Sequence, residues 1–387
     1  MHSFSNLLKG YLDHFMKHKI TLVVLVVLLS LLAACTIPNQ TDEIKKETQP
    51  LVINQTTTMT AKDLWQNKDE AFIDNLILDE SNLITLINKT ANATYQSIAL
   101  ETKHFQELVL SWNVRNLNDA RVTFFVSVGD GTNFGKFQIL GLFKDEQNMS
   151  FNASDDAYAR VNIDTLVNND VEINKFIKLK VTILPNGADN LKIDNISIAL
   201  KMVENTLIYN PNLLENKIIE VSPLQQLSIP SIGNLICSPT SVAMVVNYYG
   251  KNYTQTDMAK KVFDHGRNIY GNWTFNASYA GSLDGLYGRV EFVHDFSIVI
   301  DYIKNDIPVV FSISTTSIDQ LDGAIMAFPA GHLIVLIGFE QIDGVWYGIF
   351  NDPAEYEDSK VERKYPMEQV LNVWRQYTYV ITNDFVF

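Results

Sequence analysis

Four short runs in which every second residue is apolar constrain the first half of this 387-residue chain more than any other feature. They are Leu108, Leu110, Trp112 and Val114; Val122, Phe124, Val126 and Val128; Ile177, Leu179, Val181 and Ile183; and Ile196, Ile198 and Leu200. Side chains of a strand alternate between its two faces, so a period of two describes strands with one buried side. Gly129-Asp130-Gly131 and Pro185-Asn186-Gly187 supply turns between runs. This spacing predicts an all-β sandwich or jelly-roll-like domain over 61–205.

Beyond it the period changes. Residues 206–220, with Asn210-Pro211-Asn212 in the middle, read as a linker, and 221–387 read as an α+β domain. Ser238 to Tyr249 is helix-compatible, with Pro239 in the first turn and Gly250 just past the end. Phe296 to Lys304 predicts a second helix. Pro308 to Ile313, Leu333 to Phe339 and Val345 to Phe350 predict strands. Hydrophobic residues make up 47% of the chain and charged ones 19%, which supports a large core and argues against disorder. A net charge of −14 with no compensating Lys/Arg cluster argues against a nucleic-acid partner.

The chain holds two cysteines, Cys35 and Cys237. Behind Lys17 and Lys19 lies an apolar run of about 14 residues, short of the roughly 20 needed to span a bilayer but suited to a signal-peptide core. Leu32-Ala33-Ala34-Cys35 resembles a bacterial lipobox. The reading is a signal peptide over 1–34, a lipid on the Cys35 thiol, a flexible tether over 35–60 and an extracytoplasmic, membrane-anchored protein. Cys237 is then an unpaired thiol in an exported chain, a flag for reactivity.

Cys237 directly precedes the helix that Pro239 opens, where backbone N–H groups and the helix dipole favour thiolate. A nucleophile of this kind needs a base. His2, His14 and His18 fall in the signal segment, His104 in the β domain, and His265 and His294 among loop signals. His332 starts a strand. Asp352 ends the next one, and a tight connection through Asp343-Gly344 would set the two side by side, the carboxylate holding the imidazole. No second Cys or paired His spacing accompanies His332, so a metal centre is not expected and the chemistry calls for no cofactor.

These residues carry a family resemblance. Cys237-Ser238-Pro239-Thr240-Ser241, Met244 and Asn247-Tyr248-Tyr249-Gly250 resemble the nucleophile helix of the family-thirty-nine-like cysteine peptidases. Those are papain-fold relatives of the bacteriocin-processing double-glycine peptidases. Gly331-His332-Leu333-Ile334-Val335 and Asn351-Asp352-Pro353-Ala354 resemble the family's His and Asp motifs. Gly271-Asn272-Trp273 with Tyr279-Ala280 is similar to a segment of exported members. The resemblance spans about 221–381. It implies a papain-like fold, peptide hydrolysis by a Cys237–His332–Asp352 triad, and an oxyanion donor upstream at Gln225 or Gln226, of which Gln226 fits the flanking Pro230 and Gly233 better.

Trp273, Tyr279 and Trp374 are candidates for the cleft lining, and Trp112, Phe134, Phe137 and Tyr158 for carbohydrate stacking on the β domain. Two other functions use the same features: a surface binding lipoprotein without turnover, and a transglutaminase or amidase sharing the triad. Peptide substrates and the membrane are the expected partners.

Overall fold

The computed structural model describes residues 52–151 and 156–384. The expected signal segment, Cys35 and most of the expected tether lie outside the described residues.

Two antiparallel sheets make up the first half. One runs in the order Ala159–Asn162, Thr165–Asn168, Phe105–Arg115, Lys192–Met202, Ile84–Leu86 and Leu76–Leu78, with Thr56–Thr60 also on Lys192–Met202. The other runs Phe72–Asp74, Ala93–Gln96, Phe176–Leu184, Arg121–Gly129 and Gln138–Phe143, with Leu100–Glu101 on Phe176–Leu184. The predicted apolar runs supply a shared core between them. Trp112 of the first sheet stacks on Phe124 of the second at 3.8 Å and is fully buried. It is a core residue, which removes it from the carbohydrate candidates. Tyr158 packs against the same core, and the Lys178 and Lys180 ammonium groups lie over the Phe134 and Phe137 rings at 4.1 and 4.8 Å. Thr56–Thr60 falls inside the expected tether, yet it is a strand, paired from Thr56↔Ala199 to Thr60↔Asn195. Successive β-branched threonines favour that state. It leads into a short helix, α1 (Ala61–Trp65), capped by Thr60.

The second half is built on a seven-stranded antiparallel sheet among the described residues. Its order is Tyr287–Phe292, Trp374–Thr382, Val309–Ile313, His332–Ile342, Val345–Asn351 and Glu362–Pro366, with Lys217–Ile218 on His332–Ile342. Helices α2 (Cys237–Tyr248), α3 (Gln255–Val262), α4 (Trp273–Ser282), α5 (Ser297–Lys304) and α6 (Met367–Val373) accompany it. Helix α2 carries small and apolar residues all round, and Ser238 through Val246 are buried. A helix without a polar face belongs inside a core. It is pinned there by the Ser241 hydroxyl donating to the Leu333 carbonyl at 3.0 Å.

The segment 206–220 is more tightly held than its sequence suggests. Ile208 donates to the His294 carbonyl and Lys217–Ile218 joins the sheet, while Leu207 and Tyr209 pack on the core. Nor does the first sheet keep a solvated face. Val109, Ser111 and Asn113, which alternate with the apolar run, are fully buried as well. Helix α4 and the strand Tyr287–Phe292 cover them. Thr274, Ser278 and Ser282 recur at every fourth position, one stripe of α4. The Thr274 hydroxyl donates to the Leu110 carbonyl at 2.8 Å, while Ser278 and Ser282 accept from the Trp112 and Val114 N–H groups at 3.0 and 3.1 Å. Hydroxyls thus satisfy strand groups that an adjoining strand would otherwise pair. The approach needs Gly281, where a Cβ would stand 2.3 Å from the Asn113 amide nitrogen. The two halves are one packed unit.

Candidate active site

Cys237 opens α2, half-buried, on a turn whose preceding residue, Ile236, provides no side-chain cap. Its sulfur is left facing the N-terminal N–H groups of the helix. Burial raises a thiol's pKa, but the hydrogen bond and charge of His332, with the Leu333 and Ser238 N–H groups, outweigh it and hold Cys237 below the ordinary thiol range.

His332 is the first residue of its strand, directly after Gly331, whose φ of +103° suits glycine. The imidazole is buried and stacks on Phe328 at 4.0 Å, nearly parallel. The Asp343-Gly344 turn has positive φ at both residues, the geometry of a two-residue hairpin that follows strand twist, and pairs Ile342 with Val345. That hairpin returns Asp352 to His332, whose Nε2 donates to Asp352 Oδ1 at 2.6 Å. With Nε2 committed to the carboxylate, Nδ1 is the nitrogen left for the thiol. Desolvation alone would lower the imidazole's pKa; the Asp352 charge and hydrogen bond, and then Cys237, overcome it and push His332 up to about 10. Asp352 is buried too, which works against its charge, but His332, Tyr365 and the Ala354 N–H hold it below the ordinary carboxylate value.

Residues 218–382 match the peptidase C39-like family. That segment is similar to a peptidase C39-like domain. No curated protein matches the chain. Among solved structures, one described as a C39-like peptidase from Bacillus anthracis is 19% identical, covering 43% of this chain and 98% of that one with a TM-score of 0.34. A double-glycine-motif protease of an AMS/PCAT transporter, solved with the leader peptide, is 17% identical over 43% of this chain and 95% of that one, TM-score 0.29. The C-terminal CBM6 of LamC, a marine laminarinase from Zobellia galactanivorans, is 11% identical over 38% of this chain and 99% of that one, TM-score 0.22.

Within this segment the two glutamines part company. Gln225 is half-buried and its amide reaches the Ser228 hydroxyl. Gln226 is buried, and its N–H donates to the Pro353 carbonyl, next to Asp352, at 2.8 Å. Its amide nitrogen donates to the Gly233 carbonyl at 2.6 Å, which fixes the amide's orientation and leaves Oε1 unpaired among the described residues. Gly233 permits this contact, since a Cβ there would stand 2.6 Å from the Gln226 carbonyl oxygen. No hydrogen bond among the described residues joins Gln226 to Cys237.

The three aromatic candidates each have packing partners of their own. Trp374 is a core residue, stacked on Phe311 at 4.5 Å with its Nε1 donating to the Tyr377 carbonyl. An indole placed on a strand between apolar neighbours is drawn into the sheet's core. Trp273 packs on Tyr377 at 4.5 Å, and its backbone N–H donates to Asp164 of the β region at 2.6 Å. Tyr279 shares a hydroxyl contact with Tyr253 at 2.9 Å. Helix α4 therefore places both in the junction between halves. His265 and His294 make structural contacts, to the Glu146 carbonyl and the Gln55 amide respectively.

Three supporting residues escape a reading of sequence alone. Tyr365 is fully buried and donates to Asp352 Oδ2 at 2.6 Å. Phe328 supports the imidazole face, and Ser238 exchanges a hydrogen bond with Tyr379 at 3.0 Å beneath the thiol's helix turn. No short-range pattern links Tyr365 to position 352. The signal lies in the pairing of Val345–Asn351 with Glu362–Pro366.

Proposed function

We propose that this chain is a cysteine peptidase that cleaves amide bonds of peptides through Cys237, His332 and Asp352. The observation that carries the proposal is one buried line of contacts: thiol to imidazole, imidazole to carboxylate, carboxylate to Tyr365. The imidazolium held by Asp352 stabilises the Cys237 thiolate, which attacks the carbonyl carbon. The charge that develops on oxygen is met by the Cys237 N–H at the helix start and by the amide of Gln226. Collapse breaks the C–N bond, His332 gives its proton to the leaving amine, and the acyl group stays on sulfur as a thioester. Water, deprotonated by His332, then releases the acid and returns the proton. In this proposal the protein works outside the cytoplasm of a bacterium, anchored through lipid on Cys35.

The test is cleavage. The full chain and its Cys237→Ala variant are incubated with a peptide library, and new N-termini are read by mass spectrometry. Cleavage by the wild type alone supports the proposal. No cleavage by either overturns it in favour of a binding lipoprotein. Ammonia release with amine incorporation at glutamine, without new N-termini, assigns the same triad to acyl transfer.

A further inference from the structure

A cavity of about 550 Å³ opens where the strand Thr56–Thr60 meets the C39-like domain, away from Cys237. Its floor holds a buried ion pair. Arg289 and Glu291 are each 4% exposed, and Tyr302 bonds to both. Two Arg289 nitrogens and the Tyr302 hydroxyl bond to the Glu291 carboxylate at Oε1. The Glu291 side chain, with Oε2 beyond these contacts, lines the cavity. A donor brought by a ligand in the cavity could bond to the carboxylate there.

The facing wall is a row of hydroxyls. Thr56, Thr58 and Thr60 share one side of their strand because alternate residues point the same way. Thr56 accepts from the Phe292 N–H and Thr58 pairs with Ser197, one bond each, while Thr60 makes two, donating to Asp63 Oδ2 and accepting from the Asp63 N–H. A hydroxyl has one donor and two acceptor sites, so each keeps capacity for a ligand. Phe292 and Ile298 add apolar surface.

We propose that this cavity binds a neutral polyhydroxylated ligand, a sugar unit. Arg289 neutralises Glu291, and the lining's other carboxylate, Asp63, is already occupied by the Thr60 N–H and hydroxyl and the Gln66 amide, which leaves little to hold an amine. The carboxylate would repel an acidic ligand. A polyol supplies a donor to Glu291 Oε2, mixed donors and acceptors to the threonine row, and C–H faces to the apolar wall. The volume is within the range of small-molecule sites.

Saturation-transfer NMR on the full chain, held in a detergent without sugar headgroups, tests this. The probes are glucose, galactose, N-acetylglucosamine and their β-linked disaccharides, with spermidine as the amine control. The expected result is binding of at least one sugar, no displacement by spermidine, and a loss of about tenfold or more in affinity for Thr58→Val and Glu291→Gln. Cys237 alkylation stays unchanged in Thr58→Val. Should Glu291→Gln fail to fold, Thr58→Val decides alone. Silence from every sugar, undiminished binding by the variants, or displacement by spermidine would overturn the proposal.

Discussion

Replacing Asp352 by Asn separates charge from position at the heart of the site. The amide oxygen can keep the place of Oδ1, accepting from His332 Nε2 at 2.6 Å and from the Ala354 N–H at 2.9 Å. The amide nitrogen can then donate to Tyr365, whose hydroxyl rotates to accept. Only the negative charge is removed. His332 stands at about 10 against an ordinary value of 6.5, a gap of about 5 kcal/mol in favour of imidazolium. The carboxylate's charge is the largest of the favourable causes. If it supplies half the gap, the equilibrium constant for protonating the imidazole falls by roughly 50-fold on losing it. A raised imidazole stabilises the fold fully below its unfolded value and loses that contribution as pH rises through about 10. In the variant this loss moves to lower pH. The thiolate, followed by its ultraviolet absorbance, should form later as pH rises, and the imidazolium should be lost earlier. Circular dichroism should match the wild type. A thiolate titration identical to the wild type's would refute the electrostatic account. A variant indistinguishable from Asp352→Ala would show that the charge, not the hydrogen bond, is what matters.

Four further outcomes follow from the same geometry. Tyr365→Phe strips one donor from a buried carboxylate and should lower stability in urea unfolding by about 1.5–3 kcal/mol. Asp164, raised to about 6 chiefly by burial, favours its protonated form in the folded state; stability should therefore fall by up to about 3 kcal/mol as pH rises from about 4 to 6. Asp164→Asn should flatten that slope in urea titrations made below and above the window. Gly281→Ala forces a methyl against Asn113 and Gly288 and should cost about 1–3 kcal/mol or more, read as a lower urea midpoint. Gln226→Ala should lower kcat for peptide cleavage by about 10²–10³ with KM little changed.

Much of the fold was legible because period two and period 3.6 patterns report burial directly. The Cys237 helix, the His332 strand and the Asp343-Gly344 hairpin each carried a local signal, and together they made the His332–Asp352 contact readable. Legibility ended where a second body covers an element. Ser111 and Asn113 alternate with apolar residues as a solvated face would, yet they are buried and bonded to the strand Tyr287–Phe292. Trp112 and Trp374 are strand aromatics whose sequence neighbourhoods do not say which side is filled. Tyr365 reaches Asp352 only through sheet pairing, and the choice between Gln225 and Gln226 depends on which amide the Gly233 turn can admit.

The central claim is that Cys237 is a thiolate held by His332. Its most direct test is the rate of iodoacetamide alkylation at Cys237, located by mass spectrometry, from acid to alkaline pH in the wild type and His332→Ala. The account predicts a wild-type rate that stays high well below the ordinary thiol value of about 8.5 and collapses in the variant. A rate that rises only near that value in both proteins would contradict it.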